Sequence, residues 1–248
     1  MYAIIKIGDD MSTIKNIPEF WWLKPYIIDK GWNVGHGLFG LGHILWIFII
    51  FAITYFVSNY YKNANEKKRQ SVRKICALLV FILEFTKISL VCLIYPAYAD
   101  QYVPLHLCSI AGMCIMFDAL WPNNRIVNHW WLYVFLPGGL LAILTPSSTY
   151  PWFNFFCMHE FIYHGLLVLY AVCKIAGGES NTTYKGLWYS FLLPFIMVFP
   201  IYFINTTFDK GYMLITKPSD FPLTNLIWNL TTPTFGIFGY IGALAIIM

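Results

Sequence analysis

The stretch LWIFIIFAITYFV (45–57) keeps no polar stripe on any face of a helix, and LWYSFLLPFIMVFPIYFI (187–204) repeats the pattern. A helix folded in water must keep such a stripe, so these segments belong in lipid. Composition points the same way. Of 248 residues, 58% are hydrophobic and only 11% charged, whereas a soluble domain carries about 25% charged residues. A water-soluble globular protein is excluded on both counts.

Seven apolar segments are long enough to approach ~30 Å of hydrocarbon at 1.5 Å per residue. They fall near 36–59, 75–97, 104–121, 126–146, 154–175, 187–209 and 226–248. The expected fold class is an all-α membrane protein, a bundle of about seven transmembrane helices. It forms a single polytopic domain over 1–248, with a polar N-terminal segment at 1–34 and the bundle over 35–248. The residues before Gly35 lack the short apolar core and small-residue cleavage site of a secretory signal, so the first helix is expected to stay as an anchor.

With seven spans, one side collects Lys62, Lys67, Lys68, Arg69, Arg73, Lys74, Arg125, Lys174 and Lys185. The other holds Lys210, Lys217 and four N-terminal lysines. That asymmetry places the N-terminus outside and the C-terminus in the cytoplasm. Trp22, Trp121, Trp130, Trp131, Trp152, Trp188 and Trp228 stand near the expected helix ends, where an amphipathic ring prefers the headgroup level.

The net charge of +4 is concentrated in KNANEKKRQSVRK (62–74). The run is too short for a folded nucleic-acid reader and sits where topology itself demands positive charge. Membrane lipids are therefore the expected partners, with no nucleic acid and with the oligomeric state left open. The six cysteines, Cys76, Cys92, Cys108, Cys114, Cys157 and Cys173, lie within expected spans and show no C-x-x-C spacing. Neither a disulfide framework nor a metal or cofactor site is expected.

Ionisable groups inside a bilayer cost several kcal/mol, on the order of 3 each, so every one is a candidate for function. These are His36 and His43, Glu84 and Lys87, His106 and Asp118, His129, and His159, Glu160 and His164. Glu84 and Lys87, three apart, share a helix face and form an internal ion pair. Glu160 and His164, four apart, allow the carboxylate to set the imidazole tautomer or to make a structural hydrogen bond. His159 and Glu160 begin an H-E-x-x-H-like pattern, but the second histidine comes one residue late. At about 100° per residue His159 and His164 point apart, which speaks against a metal.

Cys108 stands out among the thiols. In PLHLC it opens the third helix, with Pro104 suited to the entry and unsatisfied N–H groups providing a positive end that favours thiolate.

The segments VPLHLCSIAGMCIMF (103–117), FIYHGLLVLYAV (161–172) and GYMLITKPSD (211–220) resemble the YwaF-like integral membrane proteins. That family has animal relatives, known as transmembrane protein 164, that act as cysteine-dependent acyltransferases on ether lysophospholipids. The resemblance covers roughly residues 80–240. It implies a membrane-embedded acyltransferase working on phospholipid or lysophospholipid through a thioester, with Cys108 as nucleophile and His164 as its base. His159 or His106 would be the base if His164 lay too deep, since His164 is about 15 Å down its helix and Cys108 only one turn below Pro104. Tilt or a re-entrant start to the third helix has to close that gap. His106 would otherwise serve as a polar cap. Two other readings stand beside the enzyme. One is a transporter or binding module with a polar path through Glu84, Lys87, Glu160 and His164; the other is a scaffold whose polar groups only lock helices together.

Overall fold

The computed structural model describes residues 39–122, 124–146, 154–180, 183–216 and 222–247. The N-terminal segment 1–34 and His36 lie outside the described residues. Among those described, all regular structure is helical: α1 (Leu41–Asn63), α2 (Glu66–Ile94), α3 (Leu107–Leu120), α4 (Arg125–Trp130), α5 (Leu136–Leu144), α6 (Phe155–Ala176), α7 (Tyr184–Phe208) and α8 (Pro222–Ile247). The starts are marked by polar caps. Asn65 accepts from the Lys68 amide, Asn154 from the Phe156 amide and Thr183 from the Gly186 amide, each satisfying an otherwise orphaned donor.

A π turn, Trp131–Phe135, joins α4 to α5. Pro137 has no amide to donate, and the ladder shifts register there, with Leu136 N–H reaching Trp131 O five residues back. Together these pieces make one rod.

Five helices are long and apolar enough to cross a membrane: Leu41–Asn63, Glu66–Ile94, Ile126–Leu144, Phe155–Ala176 and Tyr184–Phe208. The two remaining segments of the expected seven differ for identifiable reasons. α3 has 14 residues, about 21 Å of helix against ~30 Å of hydrocarbon. α8 contains Pro233 and breaks at Gly236, whose φ of 59° is left-handed.

Helix α6 is the hub. Of its membrane window, 67% is buried inside the protein, so it faces neighbours rather than lipid, and it packs against α1, α2, α3 and α5. His43 pins α1 to this core: its Nε2 donates to the Ile143 carbonyl at 2.7 Å and its Nδ1 accepts from the Phe39 amide at 2.9 Å. His43 is thus a packing residue, as its sequence position suggests.

Trp131 departs from the interfacial role expected of it. It is fully buried and its ring lies 4.7 Å from that of Tyr170, because the π turn rotates it into the core. Arg73 and Lys174 depart likewise. Both were expected among exposed loop cations, and both are 1% exposed.

Candidate functional site

The chain does not pass straight from α2 to α3. After Ile94 it makes a 3-10 turn, Pro96–Tyr102, which packs back against α2, and a short extended segment then leads into α3 at Leu107. Ser109, on the first turn of α3, donates its hydroxyl to Glu84 Oε1 at 3.0 Å. Glu84 lies ten residues before the end of α2, so α3 begins about 15 Å below that end. This inward start closes the depth gap that the sequence poses. His164 is nine residues into α6, about 14 Å, and the two levels coincide.

At this level the side chains of Cys108 and His164 lie close enough to interact. The tautomer follows from the other ring nitrogen. Nδ1 lies 2.7 Å from the main-chain carbonyl of Glu160, and a carbonyl only accepts, so Nδ1 carries the proton. Nε2 is left with a lone pair. The helical carbonyl of Glu160 performs the task that the sequence reading assigned to its carboxylate, which corrects that detail.

The same level holds an ion pair, Lys87 Nζ to Glu84 Oε2 at 2.7 Å, and both groups lie close enough to Cys108 to act on it electrostatically. The expected Glu84–Lys87 contact is therefore present, and through Ser109 it also anchors the start of α3. His159 sits 3.9 Å from Glu84 Oε2 and stacks on Tyr163, ring centroids 5.2 Å apart. Tyr163 in turn donates its hydroxyl to the Cys108 carbonyl at 3.4 Å. Room for that phenol exists because residue 112 is glycine: a Cβ there would stand 2.1 Å from the Tyr163 oxygen. On a third side α5 closes in, with Gly139 packed on Val168 and the His164 carbonyl.

His106 meets Tyr212. It holds the N-cap position of α3 without a side-chain capping bond, which corrects its expected role as a polar cap, and its ring packs edge-on to Tyr212 at 5.6 Å. Tyr212 belongs to the late loop, where it exchanges main-chain hydrogen bonds with the Asn205 amide and gives its hydroxyl to the Asp100 carbonyl. Lys210 pairs with Asp100 beside it. The GYMLI segment (211–215) thus packs against the start of PLHLC.

The amides of Leu107, Cys108 and Ser109 precede the first intrahelical bond of α3, which runs from Ile110 N–H to His106 O. They form the positive end of a helix placed inside the bundle.

A second polar cluster, not anticipated from the sequence, lies at the other end of the same helices. Lys174 bridges Asp118 at 3.0 Å and Glu179 at 2.6 Å. Arg73 reaches Glu179 at 3.3 Å and Tyr61 at 2.8 Å and pairs with Glu66. Tyr170 donates to Asp118, and Arg69 adds a further contact to Glu179. Only the presence of a buried Asp118 in an apolar helix hinted at it. Between the two clusters lie Ala111, Ile115, Leu167 and Ala171, all buried.

A polytopic helical membrane protein with a thiol–imidazole pair at the interior end of a short helix is the class that fold and site define. The chain belongs to the TMEM164 family, whose model matches residues 38–248. No curated protein and no solved structure matches it.

Proposed function

We propose that this protein is a membrane-embedded cysteine-dependent acyltransferase that works on phospholipid or lysophospholipid through a thioester on Cys108. The observation that carries the reading is the proximity of Cys108 and His164 at one depth of the bundle, with the imidazole tautomer held by the Glu160 carbonyl. His164 Nε2 takes the thiol proton and the sulfur attacks an acyl ester carbonyl. A C–S bond forms, the C–O bond breaks, and the imidazolium returns its proton to the departing oxygen. An acceptor hydroxyl then attacks the thioester, breaking C–S and restoring the thiol. The free amides at the start of α3 are placed to hold the developing oxyanion.

The resemblance to the YwaF-like proteins agrees with this reading. It also includes two further spans, α3 with its inward start and the broken α8, making seven, and residues 62–74 on the cytoplasmic side. Protease access to a tag in 62–74 in intact cells would overturn that orientation.

The test of function is labelling by an activity-based thiol probe in membranes. Wild type should label at Cys108 and Cys108→Ser should not. Cys108→Ala and His164→Ala should each lower lipid acyl turnover by at least about 100-fold, with the double variant little worse because the two act as one unit. Full turnover in either single variant refutes the reading.

A further inference from the structure

We infer that Tyr163 is the positioning residue that sets the nucleophile and its base against each other, holding the main chain of Cys108 with its hydroxyl and the imidazole of His164 with its ring. The inference rests on the acyltransferase reading above and deepens it at the same site.

Tyr163 touches both members of the pair. Its hydroxyl donates to the Cys108 carbonyl at 3.4 Å. Its ring meets that of His164 at 82°, with centroids 6.1 Å apart, an edge-to-face contact of the kind aromatic rings favour. Tyr163 and His164 are neighbours in sequence on α6, so the phenol reaches α3 from the same turn that carries the base.

The phenol is confined. Tyr163 is 2% exposed, and its oxygen stands 2.1 Å from where a Cβ on residue 112 would be, with Val80 Cγ1 2.9 Å from the same point. Its ring stacks on His159 at 5.2 Å, and the Lys87 ammonium lies 5.8 Å from its centroid. In an α-helix the Cys108 carbonyl also takes the amide four residues on, and that residue is Gly112. The phenol therefore reaches this carbonyl because the next turn of α3 carries no side chain in its way.

Such a tie is what the arrangement of the helices requires. α3 begins inside the bundle, so no membrane interface fixes its depth, and the distance from the sulfur to the imidazole depends on how α3 sits against α6. A misplacement of about 1 Å between reacting groups costs on the order of 100-fold in rate. Ser109, bonded to Glu84, fixes the first turn of α3 to α2; Tyr163 fixes the same turn to α6. The Glu160 carbonyl holds the imidazole at one point, Nδ1, which leaves the ring free to tilt, and the contact with Tyr163 limits that tilt.

The experiment uses full-length protein in phosphatidylcholine vesicles and reads two rates: alkylation of Cys108 by iodoacetamide, followed by mass spectrometry, and acyl transfer to lysophosphatidylcholine. Tyr163→Phe deletes the hydroxyl and keeps the ring. It should slow alkylation about 10-fold and lower kcat for transfer about 100-fold, with KM unchanged. In combination with His164→Ala it should slow alkylation no further than His164→Ala alone, because a residue that aligns the pair then has nothing left to align. Tyr163→Leu, which removes the ring as well, should be slower than Tyr163→Phe; equal rates take the ring out of the assignment. Should Tyr163→Phe fail to fold, Gly112→Ala, which displaces the phenol without removing it, replaces it in the same cycle. Wild-type rates in Tyr163→Phe, or the same fold-loss with and without His164, overturn the inference and leave Tyr163 a packing residue. If wild type transfers no acyl group at all, the acyltransferase reading falls, while the alkylation cycle still decides whether Tyr163 aligns the pair.

Discussion

The Nδ1 of His164 lies 2.7 Å from the carbonyl oxygen of Glu160, one turn earlier on the same helix. A backbone carbonyl inside a helix cannot swing away or change protonation, so this contact holds the ring more rigidly than a carboxylate would. It keeps the proton on Nδ1 and a lone pair on Nε2. The tautomer is thereby set by α6 itself, and four consequences of the packing around it can be measured.

Glu84 and Lys87 should behave as a unit. Glu84→Gln leaves a half-buried ammonium facing a neutral amide, and thermal unfolding in detergent should show a loss on the order of 3 kcal/mol. Glu84→Gln with Lys87→Met should be milder than Glu84→Gln alone. Additive losses in the double-mutant cycle would mean that the 2.7 Å contact carries no coupling.

Gly112→Ala should displace Tyr163, because the added carbon would lie 2.1 Å from the phenol oxygen and 2.9 Å from Val80 Cγ1. We expect a loss of about 1–3 kcal/mol together with weaker thiol labelling of Cys108. Adding Tyr163→Phe removes the closer clash and should recover part of the stability. No recovery would show that Val80 sets the limit instead.

Lys174→Met should leave the fully buried Asp118 carboxylate without its cation and cost on the order of 3–5 kcal/mol. Lys174→Met combined with Asp118→Asn removes both charges and should melt closer to wild type. The same melting temperature for the single and double variants would refute the pairing.

Glu179 gives a pH dependence. It stands in the loop after α6, where burial pushes its carboxyl up, but hydrogen bonds from Lys174 and Tyr61 and the charges of Lys174 and Arg73 outweigh burial and hold it below the ordinary 4.5. A depressed carboxyl stabilises the fold above its unfolded value, and that contribution is lost as pH falls through the folded value. Melting temperature should therefore drop more steeply for wild type than for Glu179→Gln as pH is lowered from about 6 to about 3. Parallel curves would mean that Glu179 does not titrate in that window.

The helical membrane class and the approximate positions of the rods were legible in the sequence, and Glu84, Lys87, His159 and His164 stood out within apolar runs, whereas only the family resemblance paired Cys108 with His164. The reason is local: a run of apolar residues has a length fixed by 1.5 Å per residue, and a polar group within such a run is conspicuous. What tertiary structure alone decided is how far each element reaches and what each polar group faces. The 3-10 turn after Ile94 folds back along α2, so α3 begins at the depth of Glu84 and His164, a placement no hydropathy run encodes. Arg73 and Lys174 read as loop cations because their partners, Glu179 and Asp118, lie 106 and 56 residues away or come from another helix. The ring of His159 likewise acquires its meaning only from α2, which brings Glu84 to 3.9 Å. Hydrophobicity is a property of a segment, whereas a hydrogen bond or an ion pair between helices is a property of two, and only packing brings the second within reach.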